Sequence, residues 1–392
     1  MSAPPPPAPS RDVQLDGLRG LAILLVLFYH ATDFARAPGA ASRVALSLPA
    51  MGWSGVDLFF VLSGFLITRL LLRARGSPGY FRTFYLRRAL RILPLYFAVL
   101  AVFLIAVPWL DLFPGTDQFW LPGAERESWW YWLFLSNVHV YWTGRFHHHP
   151  LSLTWSLAIE EQFYLVWPVA VRRLSPRVLL RVCEVAVVGA LALRVAAMWA
   201  GSTPIMLYVF TPFRLDTLAV GAWIALRAHA DGGFAQLGAL ARSILPWLAL
   251  CWGAWLVAFG IWPGLWSPHR NLTLFAHPLS QTLGYSVLAL LYGALLVALM
   301  DARPGGRARR LFESAPMVEL GKVSFALYLL HLPAVIVTNA VVSPLTADQP
   351  FFIAQLLRWG SVFSLAYAAA WLSWQLLESR ALALRTRVRS AS

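Results

Sequence analysis

Charge is what this chain has least of. Charged residues fill 13% of its 392 positions, about half of the ~25% usual in soluble domains. Hydrophobic residues fill 59%, against a soluble norm of roughly 45–50%, and mean hydropathy is +0.62. A soluble fold of this length cannot hide so much apolar surface. The composition therefore excludes a water-soluble protein and predicts an integral membrane one. Cysteine is nearly absent: Cys183 and Cys251 are the only two, both in or beside apolar stretches and without CxxC spacing. That excludes a disulfide framework and a cysteine metal site. Lysine is rarer still. Lys322 is the single one, so 31 of the 32 cations are arginine, and with 18 acidic residues the formal net charge is +14. On a soluble domain such an excess suggests nucleic acid. Here no such domain exists to carry a basic face, so no nucleic-acid partner is expected. In a membrane protein, excess arginine records orientation.

What the chain does have is long apolar runs. Residues 1–12 read as a Pro-rich disordered tail, 13–380 as a membrane domain and 381–392 as a basic cytoplasmic tail. Spans of about 20 apolar residues fall at 15–35, 53–72, 89–110, 153–171, 185–201, 205–226, 244–262, 279–300, 323–342 and 353–377. The apolar stretch 129–142 has only 14 residues, which suits a re-entrant or interfacial piece. The expected fold class is an all-α integral membrane protein with about ten transmembrane helices plus that short segment. Ala35-Arg36-Ala37 resembles a signal-peptide cleavage site. The segment is read instead as a retained first helix, because cleavage would discard Arg19 and His30.

Arginine sets the expected orientation. Arg69, Arg73, Arg75, Arg82, Arg87, Arg88 and Arg91 crowd one loop, which should be cytoplasmic. With ten spans, 24 Lys/Arg fall at cytoplasmic ends, 5 outside (Arg36, Arg43, Arg126, Arg145, Arg270) and 3 within spans (Arg194, Arg214, Arg358). The expectation is a multi-pass protein of the plasma (inner) membrane with both termini cytoplasmic.

An ionisable side chain in lipid costs about 2.5–3.5 kcal/mol, so function is sought where the sequence places such groups. The first span carries Arg19 and His30, eleven residues apart. On a helix that is close to three turns, one face, and roughly 16 Å of rise. Asp33, three residues on, can reach His30. A snorkelling arginine and an interfacial histidine are the plainer alternative. Asp57 enters the second span from the outer side; Ser63 and Gly64 there read first as helix packing. Arg88 and Arg91, at i and i+3, make a phosphate site or simply a positive-inside signal near anionic headgroups. Glu160 and Glu161 lie inside a span about 100° apart, so both cannot face one partner, whereas Glu160 shares a face with Tyr164. Glu160 is expected at about the depth of His30. Arg214 and Asp216 read as a functional pair or as local charge balance. Ser324, Tyr328 and His331 form one polar stripe. Glu378 reads as a structural partner of Arg380 or Arg385. The run His147-His148-His149 shares no helix face and has no acidic partner at metal spacing, so no metal site is expected. Asn271-Leu272-Thr273 is a sequon in an outer loop.

These motifs, Arg19-x10-His30, Gly55-Val-Asp-Leu-Phe-Phe-Val-Leu-Ser-Gly-Phe-Leu-Ile, Arg88-x2-Arg91, Trp155-Ser-Leu-Ala-Ile-Glu-Glu-Gln-Phe-Tyr, Phe213-Arg-Leu-Asp-Thr and Ser324-x3-Tyr-Leu-x-His331, occur in order over 13–380. Together they resemble acyltransferase family three, the integral-membrane O-acyltransferases that acylate sugars. The resemblance implies a ten-helix acyltransferase domain, an acyl-coenzyme A donor, an essential His30, and Arg19, Arg88 and Arg91 important to activity. Two departures stand out. Some members carry a C-terminal esterase-like SGNH domain, for which a chain ending at Ser392 leaves no room. Many have a histidine before Thr-Trp-Ser-Leu, where this chain has Leu153.

The expected activity is thus transfer of an acyl group, acetyl first, from acyl-coenzyme A to a hydroxyl of a sugar-containing acceptor. Arg88, Arg91 and Arg19 would hold the donor on the cytoplasmic side. His30 would act as general base, oriented by Glu160 with Asp57 and Asp33 behind it; a covalent acyl-His or acyl-Ser route stays open. Supporting roles fall to Glu161, Tyr164, Arg214, Asp216, Ser324, Tyr328 and His331. Acyl-coenzyme A is a substrate, and no resident cofactor or metal is expected. The other partners are membrane lipid and the acceptor: a lipid-linked glycan, a polysaccharide, a peptidoglycan sugar or a macrolide-type glycoside. The alternative is a polytopic transporter or flippase-like protein, against which no inverted repeat is visible.

Overall fold

Lipid offers no hydrogen bonds, so a chain this apolar must satisfy its backbone within itself, and helices do so segment by segment. The computed structural model describes residues 12–107, 127–146, 149–261, 277–381 and 383. Among these the elements are helical, with no strand. The 1–11 tail, the end of the C-terminal tail, His147, His148 and the 271–273 sequon lie outside the described residues.

Twelve helices carry the architecture: α1 Val13–Ala31, α2 Gly55–Ala74, α3 Tyr80–Ala101, α4 Ser136–Thr143, α5 Thr154–Arg173, α6 Pro176–Trp199, α7 Thr211–Ala230, α8 Ala235–Ile261, α9 Tyr285–Met300, α10 Ala315–Lys322, α11 Ser324–Leu345 and α12 Phe351–Ser373. Where they are described, the ten apolar runs are largely helical, with run 205–226 divided at Phe210 into Pro204–Val209 and α7. Eight helices among the described residues are long and apolar enough to cross a membrane. The other two, α5 and α6, have 20 and 24 residues, about 30 and 36 Å of rise. Glu160 and Glu161 interrupt the apolar run of α5, and Glu184 and Arg194 that of α6.

Residues 129–142 do not form one helix. They break into Trp129–Trp132 and α4, with Phe134 at φ 55° between them. Neither piece can span. Helix starts also differ from the apolar runs. The helices α3, α6 and α8 begin nine residues early, because the arginine-bearing turns fold as helix before the chain turns apolar. Ser175 opens α6, accepting a hydrogen bond from the Val178 N–H, with Pro176 at the first helical position.

Packing is closest at the centre. The helices α2 and α7 meet backbone to backbone at Gly64 and Gly221. A Cβ on Gly64 would lie 2.0 Å from the Leu218 carbonyl oxygen, and one on Gly221 would lie 2.0 Å from that of Val61. Both spans are mostly buried, whereas α8 and α12 expose most of their surface, as lipid-facing helices do. α6 and α9 pack against α7, and α10 and α2 against α1.

Two ion pairs cross this core. Arg214 of α7 pairs with Asp57 of α2, and Arg194 of α6 pairs with Asp216 of α7 at 2.7 Å. All four side chains are fully buried. Ser286 of α9 joins the second pair, 2.6 Å from Arg194 Nη2 and 2.8 Å from Asp216 Oδ2. Arg214 and Asp216 are therefore not each other's partner. Each binds a different helix. Cys183 and Cys251 are unbonded.

Candidate active site

A cavity of about 90 Å³ lies among α1, α2, α3, α5 and α11. Its polar wall combines Arg19, Arg88 and Arg91 with Ser63, Ser156, Glu160, Tyr164, Ser324 and Tyr328; Phe59, Phe60, Leu157 and Phe325 are among its apolar lining. The three arginines come from the N-terminal turns of α1 and the first half of α3. Arg88 lies on the turns of α3 that precede its apolar run, and Arg19 and Arg91 lie near the start of theirs, so the guanidiniums cluster at one end of the bundle. Arg88 stacks over the Tyr164 ring at 5.0 Å. Among the described residues, none of the three makes a hydrogen bond or an ion pair within 4.0 Å.

Glu160 belongs to this end. Ser63 Oγ donates to its Oε1 at 2.5 Å, and Tyr164 Oη lies 3.3 Å from Oε2 and 3.0 Å from Ser63 Oγ. It is close enough to Arg19 and Arg88 to act on both electrostatically. That corrects the depth expected for it. Six residues into α5, the chain has descended about 9 Å from Thr154, which brings Glu160 beside the arginines rather than beside His30. Ser63, read first as packing, is a wall residue. Glu161 faces elsewhere, as adjacent residues must; its buried Oε1 has no hydrogen-bond partner among the described residues. Its neighbour Gln162 ties α5 to α4, donating to Asn137 Oδ1 at 2.9 Å and accepting from Thr211 Oγ1 at 2.5 Å.

Toward the other end, Tyr328 Oη meets Ser156 Oγ at 2.6 Å. Ser324 Oγ donates to the Gly321 carbonyl at 2.9 Å. Beyond Tyr328 lies His331, the two rings 5.8 Å apart. His331 Nε2 is 3.3 Å from His30 Nδ1. Arg19 and His30 share the unbroken helix α1, so the arginine end and the histidine end are roughly 16 Å apart along its axis.

The other two carboxylates expected behind His30 go elsewhere. Asp57 is held by Arg214. Asp33 lies past the end of α1, because the chain turns extended at Thr32 (φ −93°, ψ 130°) and loses the i, i+3 register. The Asp33 N–H donates to Gln355 Oε1 at 2.9 Å, and Asp33 lines a small outer recess with Arg36 and Arg358. Glu378 makes no ion pair with Arg380, and Arg385 lies outside the described residues; Glu378 accepts from Ser373 Oγ at 2.9 Å. The His30–His331 contact was not foreseen. The spacing of Ser324, Tyr328 and His331 marked one face, but nothing local names the helix it meets. No group of three or more His, Cys, Asp or Glu among the described residues is placed to hold a metal ion.

Residues 12–375 match the acyltransferase domain of family three, and the chain belongs to that family. YrhL of Bacillus subtilis strain 168, a candidate peptidoglycan O-acetyltransferase, is 32% identical over 83% of this chain and 49% of its own length. The peptidoglycan O-acetyltransferase OatA of Listeria monocytogenes is 28% identical over 90% of this chain and 53% of its own. The O-acetyltransferase OatA of Staphylococcus aureus is 27% identical over 83% and 51%. The chain spans about half the length of the curated relatives it matches. No solved structure matches it. Family membership leaves the transporter alternative without support.

Proposed function

We propose that this member of the acyltransferase family moves an acetyl group from acetyl-coenzyme A to a hydroxyl of a peptidoglycan-type sugar. The donor enters from the cytoplasmic side and the acceptor from the outer side. One observation carries the reading: three guanidiniums, none within 4.0 Å of a described carboxylate and outnumbering the nearby Glu160 and Asp16, stand at one end of a cavity whose other end approaches a histidine pair. Clustered cations repel one another and are costly in a membrane, so the cluster calls for an anion. Guanidiniums bind phosphate oxygens in bidentate fashion, and a coenzyme A donor brings several. The relatives' peptidoglycan O-acetyltransferase names favour acetyl and a peptidoglycan sugar.

In this reading Arg88, Arg91 and Arg19 hold the donor phosphates. Glu160, fixed by Ser63 and Tyr164, offsets part of their charge and keeps them apart. The thioester arm runs past Phe59, Leu157 and Phe325 toward Tyr328. His30 takes the proton of the acceptor hydroxyl as its oxygen bonds to the thioester carbonyl carbon. The carbon–sulfur bond then breaks, and His30 returns the proton to the leaving thiol.

The test is thiol release from acetyl-coenzyme A by purified protein, with soluble peptidoglycan fragments as acceptor. His30→Ala should lower turnover by about 10²–10⁴-fold, the usual weight of a positioned base. Arg88→Ala with Arg91→Ala should raise the apparent donor KM by about tenfold or more, with a smaller change in kcat. A His30→Ala variant with wild-type turnover overturns the base assignment. An unchanged donor KM overturns the phosphate site.

A further inference from the structure

We propose that His331 is a positioning residue for His30: with the Val26 carbonyl it shares the Nδ1 proton of His30, which leaves Nε2 as the basic nitrogen and supports the imidazolium when it forms. The inference rests on the reading of His30 as general base and extends it to the group that orients it.

The hydrogen-bond pattern carries it. His30 Nδ1 lies 3.0 Å from the Val26 carbonyl oxygen. A carbonyl only accepts, so a lone pair on Nδ1 would face another lone pair there, and Nδ1 must carry the proton. The same holds one helix away. His331 Nδ1 lies 2.8 Å from the Tyr328 carbonyl oxygen and 3.2 Å from that of Leu327, so it too is the protonated nitrogen. The neutral His331 ring then has its lone pair on Nε2, the atom 3.3 Å from His30 Nδ1. The result is a contact of fixed direction: the His30 Nδ1–H is shared between the Val26 carbonyl at 3.0 Å and His331 Nε2 at 3.3 Å, and the His331 Nδ1–H goes to the carbonyls of α11.

This is the position that a carboxylate fills behind a catalytic histidine, where the partner fixes the tautomer and supports the imidazolium without taking its proton. None of Glu160, Asp57 or Asp33 fills it, because each is engaged elsewhere. His331 is fully buried and tilted 55° to His30, with ring centroids 4.9 Å apart. When His30 Nε2 takes the acceptor proton, its Nδ1–H stays in place and bonds more strongly to His331. When the proton leaves on the thiol, the pair returns to its starting tautomers. No proton is exchanged between the rings.

The experiment compares wild type, His331→Phe, His331→Gln and His30→Ala in the acetyl-coenzyme A assay with soluble peptidoglycan fragments. His331→Phe keeps the bulk of the ring and removes the acceptor. It should lose about 10–100-fold in kcat, the loss seen when the group that orients a metal-bound histidine is removed, with the donor KM within about twofold. His331→Gln supplies an amide oxygen near the Nε2 position and should recover much of that loss. Wild-type kcat in His331→Phe, or equal loss in Phe and Gln, overturns the proposal. Loss only in His30→Ala overturns it while leaving the general base standing; no loss in His30→Ala removes both. A second readout needs no His331 variant to fold. In ¹⁵N-histidine-labelled wild type, assigned against His30→Ala, the His30 signal should report a protonated Nδ1 and an unprotonated Nε2. The opposite tautomer overturns the proposal.

Discussion

Asp57 and Arg214 show what a single residue does in this core. Neither side chain has any exposure to solvent. Taking each ion out of water costs several kcal/mol, and only the partner's charge offsets it. Arg214 also sits 4.1 Å from the Tyr285 ring centroid and 5.1 Å from that of Tyr208, so aromatic faces supply what the single carboxylate does not. Breaking the pair from one side strands the other charge. Asp57→Asn and Arg214→Leu should each destabilise the protein by about 3–5 kcal/mol, read as a lower unfolding midpoint in detergent. The double change Asp57→Leu with Arg214→Leu should be milder than the sum of the singles. If Asp57 instead served His30, Asp57→Asn would abolish turnover at wild-type stability. At this scale the sequence is partly legible. Hydropathy marks Asp57, Arg194, Arg214 and Asp216 as charges in lipid, because each interrupts an apolar run. It does not say which charge each one meets, since Asp57 and Arg214 are 157 residues apart.

The same limit and a different strength hold for elements. Apolar runs forecast every long helix, because in lipid a sustained apolar segment has no other stable backbone. They forecast the starts of α3, α6 and α8 poorly. Hydropathy ends where Arg82, Arg177 and Arg242 begin, but the helix does not, because long arginine side chains reach the headgroups from helical turns. That error matters here, since Arg88 lies on one of those turns and Arg91 just inside the run that follows. The α2–α7 contact is also invisible in a hydropathy trace, though small residues hint at it. It gives a sign test. In a helix Gly→Ala normally stabilises by up to ~1 kcal/mol. At Gly189, which has open space around it, Gly189→Ala should be neutral or slightly stabilising. At Gly221 the added methyl meets the Val61 carbonyl at 2.0 Å and the Phe65 nitrogen at 2.7 Å, both backbone. Gly221→Ala should therefore destabilise, by about 2 kcal/mol or more, and turnover should fall with it as Ser63 shifts on α2. Equal melting of the two variants would mean that α2 and α7 do not pack as described.

For the whole molecule, chemistry and charge asymmetry make one demand together. In the proposed reaction the coenzyme A donor is cytoplasmic and the peptidoglycan sugar is not, which requires the arginine end of the cavity to open inward and the His30 end outward. Lys and Arg are distributed in the same sense, about five to one across the proposed ten spans. Two turns at opposite ends of the bundle test the orientation. Ser77 sits between α2 and α3, beside the arginine cluster, and Ser202 sits between α6 and α7. In a background with Cys183→Ser and Cys251→Ser, Ser202→Cys should react with a membrane-impermeant maleimide on intact cells. Ser77→Cys should react only after the membrane is opened. The pair also tests α5 and α6, which are not among the eight helices picked out by length and composition. With both crossing, three spans (α3, α5 and α6) separate Ser77 from Ser202; if only one of α5 and α6 crosses, two do, both turns fall on one side, and one of the labels reverses. Labelling of Ser77→Cys from outside would put Arg88 and Arg91 on the wrong side for a cytoplasmic donor. The phosphate-site reading would then fall, whatever turnover the arginine variants retained.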